Sequence, residues 1–183
     1  PRYVHHLLSF VTQATMVRKK EWGKLVGKEE ARESSYCIGE HGIEMLSVEM
    51  FKEFVLPYHK KLLEAFCEKG CSVRLHHCGN GQHLFKTIYE ELGARTFLNL
   101  THPVIDVLKV RRELGEGAYL AVLLHPEIVL NGPEERIYET IGSLLTPQVK
   151  AKGRLFWKVF IPPETPLAHT HAVYQAIRRY GKY

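Results

Sequence analysis

The stretch SVRLHHCGNGQHLFKTIYEELGARTFLNL, residues 72–100, reads as strand, turn, helix and strand again. Residues 72–77 form a short extended entry into a polar, glycine-bracketed turn. His83 to Leu92 follows with helical spacing, and Gly93 stops it. TFLNL at 96–100 is apolar and β-prone, as a strand covered on both faces must be. On the first strand Val73 and Leu75 face one way and Arg74 and His76 the other. His76 and Cys78 therefore share a side while His77 lies opposite.

The same unit repeats on both sides of this stretch. Downstream, a helix runs from Pro103 to Leu114 with Gly115 at its end, and AYLAVLL at 118–124 is the next strand. Pro133 opens another helix, with Glu134 and Glu135 where negative charge meets unpaired N–H groups. RLFWKVF at 154–160 is a further strand, and Pro166 to Tyr180 a closing helix. Upstream, SSYCIG at 34–39 reads as a short strand. Pro57 lies inside VEMFKEFVLPYHKKLLEAFCEKG, where a proline in a helix interior costs about 3 kcal/mol, so two helices or a kink at Leu56 are expected. Tyr3 to Trp22 carries apolar residues at Val4, Leu7, Leu8, Val11, Ala14 and Met16, which predicts a helix over its first part. Gly23 to Glu33 is expected to be a turn or a loosely held helix.

Strands alternating with helices specify a parallel sheet covered by helices, an α/β fold of the doubly wound or (β/α)-barrel kind. About five strands are present, whereas a complete barrel needs eight and typically about 250 residues. No strand is followed by a glycine-rich phosphate loop; GNGQH at 79–83 has neither dinucleotide spacing nor a P-loop lysine.

The bulk numbers fit one well-buried core: 183 residues, 45% hydrophobic and 25% charged. No apolar run approaches the length of a bilayer span, and the N-terminus lacks a signal pattern, so a cytoplasmic location without membrane attachment is expected. The net charge of +5 is dispersed, with VRKK at 17–20, VRR at 110–112 and IRR at 177–179 read as solvated helix faces. Nucleic-acid binding would need such residues clustered with aromatics along one groove. Cysteines 37, 67, 71 and 78 are expected to be free thiols, with Cys67 a small core residue and Cys71 the first residue past a helix stop.

Parallel sheets collect ligands at the carboxyl ends of their strands. That rule picks out Glu40 and His41, then His76, Cys78 and Asn80, then Asn99, Thr101 and His102, then His125 and Glu127, and last Lys158 with the IPPETP loop. Glu40 is a candidate general acid or base, or a hard metal ligand; His41 beside it can take either role. His76 and Cys78 offer nitrogen and sulfur to a metal, or polar groups to a pocket wall. His76, Cys78 and Glu40 are expected to face one cleft, with His125 as a further wall. His5, His6, His59, His169 and His171 read as structural.

LSVEMFKEFVLPYHKKLLEAF at 46–66, VRLHHCGN at 73–80, LNGPEERI at 130–137 and the closing IPPETPLAHTHAVYQAIRRYGKY resemble, in order, the C-terminal half of the uroporphyrinogen decarboxylase superfamily. The resemblance implies the C-terminal part of a (β/α)8 TIM barrel. Residues 1–183 would then be a single domain that lacks the N-terminal half of the barrel. The methyltransferase branch of that superfamily holds zinc on a His-x-Cys pair, which His76 and Cys78 match, and takes its methyl group from a corrinoid protein. A further cysteine ligand of that branch falls near Val159, where this chain has none. The decarboxylase branch uses no metal, and its arginine-rich segment and early aspartate have no counterpart here. In closer relatives the position of Glu40 and His41 holds an acidic pair.

The expected function is methyl transfer to a thiol acceptor, with catalytic Glu40, His41 and His76 and zinc on His76, Cys78 and Glu40. Porphyrinogen decarboxylation and a non-catalytic half-barrel are the alternatives. A small-molecule substrate is expected, together with a homo-oligomer or a partner that completes the barrel, because missing strands leave open edges.

Overall fold

The computed structural model describes residues 1–28 and 32–182, and for Glu40 the backbone alone. The elements run α1 (Arg2–Leu25), β1 (Glu33–Glu40), α2 (Val48–Phe54), α3 (Leu56–Phe66), β2 (Cys67–His77), α4 (Gln82–Glu91), β3 (Ala94–His102), α5 (Val107–Leu114) and β4 (Tyr119–Leu124). They continue as α6 (Pro126–Asn131), α7 (Glu134–Leu144), α8 (Pro147–Lys150), β5 (Leu155–Trp157) and α9 (Leu167–Tyr180). The five strands pair in parallel in the order β1-β2-β3-β4-β5. Each strand therefore neighbours the next in sequence, as short crossovers favour.

Alternation along β2 works as the sequence implies. Val73, Leu75 and His77 are buried, while Arg74 and His76 are half-buried on the opposite face. Phe85, Ile88, Phe97, Leu100, Leu120, Val122 and Ile137 belong to one continuous core between sheet and helices. Pro57 breaks α2 from α3 at Val55 and sits in the first turn of α3, where its missing N–H costs no helical bond.

Three expectations need correction. Cys67 to Cys71 does not finish a helix: α3 stops at Phe66, and Cys67, half-buried rather than core, opens β2. The register then jumps from Glu33↔Cys67 to Ser35↔Ser72, so regular pairing begins at Ser72. Helix α1 continues to Leu25, beyond the expected loosening at Gly23; residues 29–31 of that segment lie outside the described residues. Arg111, in the basic VRR run, is not solvated but 2% exposed. Its guanidinium donates to the carbonyls of Val149, Gly115, Ala118 and Arg154 at 2.7–3.1 Å. Two of those carbonyls, of Val149 and Arg154, come from segments distant in the chain, which a local charge pattern does not report.

Helix α1 is tied to α3 by Tyr58, whose hydroxyl donates to the His5 carbonyl at 3.0 Å. Its apolar positions are otherwise open: Tyr3, Phe10, Trp22 and Leu25 are each more than 60% exposed. Among the described residues no helix is long and apolar enough to cross a membrane.

Candidate functional site

The carboxyl end of β2 carries His76, and Cys78 follows one residue after the strand. His77 between them points into the core at 2% exposure, with its Nε2 3.5 Å from a Glu44 carboxylate oxygen. A Cβ at Gly81 would come within 2.7 Å of that ring, and one at Gly79 within 3.0 Å of Glu44. The glycine bracket is thus the packing surface for His77, and it fixes the turn that presents Cys78.

Asn99 reaches the same place through an irregularity in β3. Phe97 pairs with Leu120 but Leu100 with Val122, so three steps on β3 match two on β4. That extra residue is a β-bulge, and Asn99 adopts φ 63°, a left-handed conformation that asparagine tolerates better than most residues. The bulge keeps both Phe97 and Leu100 in the core and leaves Asn99 half-buried on the other side.

Lys158 arrives from beyond β5. Its backbone N–H donates to the Val122 carbonyl at 2.8 Å, extending the ladder by one residue. Its ammonium then crosses β4 to donate to Asn99 Oδ1. An ammonium only donates, so the atom facing it must be the amide oxygen. The amide NH2 is thereby turned toward His76 and Cys78. Asn99 Nδ2 lies 2.9 Å from His76 Nε2 and 3.3 Å from Cys78 Sγ. Both of those atoms act as acceptors, which places the His76 proton on Nδ1. The pair itself is 3.5 Å apart. Burial, then the Lys158 charge, then His41 and His77, hold the His76 pKa below the ordinary histidine value.

Cys78, Asn99 and Lys158 open into a cleft of about 510 Å3, also lined by His125, with Leu123 and Phe160 as apolar wall; His76 lies behind Asn99 and Cys78 and does not line it. His125 caps α6 by accepting from the Glu127 N–H at 3.4 Å. His41 stands beside the cluster, its ring 6.1 Å from that of His76. Glu40 ends β1 with its backbone opposite His77; its side chain lies outside the described residues. Asn80 and Glu127 line neighbouring hollows instead of this cleft. Strand-end reasoning found Asn99 and Lys158 but gave them no role, because only the bulge and the cross-strand reach bring them to His76.

The expected zinc centre does not fit. His76 and Cys78 supply two donors, whose lone pairs point at the Asn99 NH2, and the Lys158 ammonium adds positive charge where a dication would stand. Among the described residues no group of three His, Cys, Asp or Glu side chains could hold a metal ion. These residues do not fit the zinc expected on His76, Cys78 and Glu40, and the corrinoid-protein donor that the zinc branch implies has no support here.

Residues 1–180 match the family described as uroporphyrinogen decarboxylase (URO-D). The chain belongs to that family. The match runs over almost the whole chain, which corrects the expectation that the resemblance is to a C-terminal half alone. No curated protein matches the sequence. Among solved structures, a methyltransferase from Methanosarcina mazei is similar at 18% identity with a TM-score of 0.62, covering 97% of this chain and 50% of that one. At that identity the likeness shows the fold, an alternating parallel β/α arrangement like that of a (β/α) barrel. The chain spans about half the length of that methyltransferase.

Proposed function

We propose that the chain acts as a transferase that moves a methyl group to the sulfur of a small thiol, at the carboxyl ends of β1, β2, β3 and β5. The observation that carries this reading is the convergence of Cys78, Asn99 and Lys158 on one cleft, with His76 in contact with Asn99 and Cys78 behind its wall. A thiol must lose its proton to attack a methyl carbon, because the thiolate is the nucleophile. His76, kept neutral and half-buried, is the proton acceptor, and His41 passes the proton on toward water. The Lys158 ammonium stabilises the acceptor thiolate in a partly desolvated site, where a fixed charge acts more strongly than in water. Glu40, at the same end of β1, is the second acid–base group. The thiolate bonds to the methyl carbon while the donor group leaves with the electron pair of its bond to that carbon.

Residues 1–183 act in this reading as one domain whose sheet is incomplete. The free edges of β1 and β5 and the exposed apolar residues of α1 are covered by a second copy of the chain.

Thiol binding is testable by NMR. Titration with 2-mercaptoethanol should shift the Asn99 side-chain amide and the His76 ring in a saturable way, with ethylene glycol binding at least about tenfold more weakly. Equal shifts with both ligands, or none with the thiol, would reject the site.

A further inference from the structure

We propose that Cys78 is itself a nucleophilic site, activated by Asn99 and Lys158 without a metal and open to small electrophiles that carry an anionic group. This goes beyond methyl transfer to an added thiol, since it concerns the chain's own sulfur.

Cys78 differs from the other exposed cysteine, Cys37, in its surroundings and not in its access. Its sulfur accepts an N–H from Asn99 at 3.3 Å and lies 3.5 Å from His76 Nε2. In the resting site the Nε2 lone pair receives the Asn99 N–H at 2.9 Å, so the Cys78 sulfur is held by the amide; His76 accepts a proton only when an entering thiol displaces that N–H. A hydrogen bond received by a sulfur stabilises the negative charge it carries as it attacks. Behind the amide, Lys158 provides the positive charge, and among the described residues no carboxylate pairs with that ammonium. One face of the cleft is therefore cationic and the other apolar, with Leu123, Val159 and Phe160. That surface suits a short carbon chain bearing a carboxylate.

In the reaction the thiol proton passes to water and Sγ forms a bond to the electrophilic carbon. The bond from that carbon to its leaving group breaks, and the leaving group departs with the electron pair. Iodoacetate is the simplest probe of this class, and neutral iodoacetamide is its control. Peptide mass spectrometry of the full chain follows both reagents at Cys78 and Cys37 in the same sample. At about pH 7, Cys78 should react at least about tenfold faster than Cys37, and its preference should run toward iodoacetate. Lys158→Met should remove the iodoacetate preference and slow Cys78 about tenfold, with Cys37 unchanged as the internal reference. Asn99→Gly, which keeps the backbone conformation accessible, should slow Cys78 toward Cys37 with both reagents. Equal rates at the two cysteines in the parent chain would overturn the proposal, and so would a Lys158→Met chain with unaltered rate and preference. Neither readout requires methyl transfer, so this proposal and the transferase reading can fail separately.

Discussion

Asn99 holds its amide nitrogen 2.9 Å from His76 Nε2 across neighbouring strands, from a left-handed backbone position at φ 63°. Two consequences of this contact are separable. The amide selects the His76 tautomer, and the bulge selects the residue that can stand there. Nitrogen-15 NMR of the imidazole should find His76 mainly as the Nδ1–H tautomer. Asn99→Gly should retain the fold while mixing the tautomers. Asn99→Val, which cannot adopt φ 63° without strain, should cost roughly 1–3 kcal/mol in urea unfolding. An unchanged tautomer in Asn99→Gly would show that something other than the amide sets it.

Acid should weaken the fold through two histidines. Burial and then the Lys158 charge lower the His76 pKa, and burial lowers that of His102 against the opposing Asp106 charge. The unfolded chain protonates both near pH 6.5, roughly the ordinary histidine value. The native chain protonates them only at lower pH. Below about pH 6.5 the unfolded state therefore binds more protons, and stability falls with pH until the native pKa values are passed. His76→Asn and His102→Asn should each flatten that slope in urea titrations at a series of pH values. Parallel slopes in variant and parent would contradict the account.

Arg111 should be the costliest basic residue to remove. Arg111→Leu removes the guanidinium donor from the buried Val149 and Ala118 carbonyls, while the Arg154 carbonyl keeps the Leu120 N–H and Gly115 is exposed; the loss is roughly 2–6 kcal/mol at about 1–3 kcal/mol per stranded group. Arg112→Leu, on the exposed side of the same helix, should change stability by less than about 0.5 kcal/mol. Chemical denaturation of the pair compares them directly.

The open α1 surface gives a prediction about assembly. Light scattering should return the mass of two chains, and Phe10→Asp with Trp22→Glu should shift it toward one, since both side chains are more than 60% exposed in the single chain. A single-chain mass at every concentration would remove the second-copy proposal.

The fold was legible where periodicity is local. Val73, Leu75 and His77 alternate with Arg74 and His76 as a period of two demands, and Gly93, Gly115 and Pro57 mark ends that the structure keeps. The site was legible only in part. His76 and Cys78 share a side because their spacing puts them there. Asn99 shares parity with Phe97, so strict alternation would bury it; a one-residue bulge reverses that, and β-propensity carries no sign of it. Lys158 belongs to the expected strand 154–160, but β5 ends at Trp157 and frees the lysine to cross toward β3. The zinc expectation failed for a related reason. A His-x-Cys spacing specifies two donors, and what fills the space between them is decided by residues distant in the chain.

Methyl transfer itself is the most direct test of the central claim. S-, N- and O-methylated donors carrying a deuterated methyl group are supplied in turn with small thiols, and the labelled thioether is measured by mass spectrometry. The parent chain should form thioether above the donor-and-thiol background with at least one donor class. His76→Ala should lower that rate by at least about tenfold, and Lys158→Met by a similar factor. Background rates with every donor, or full activity in His76→Ala, would contradict the assignment of thiol methylation to this cleft.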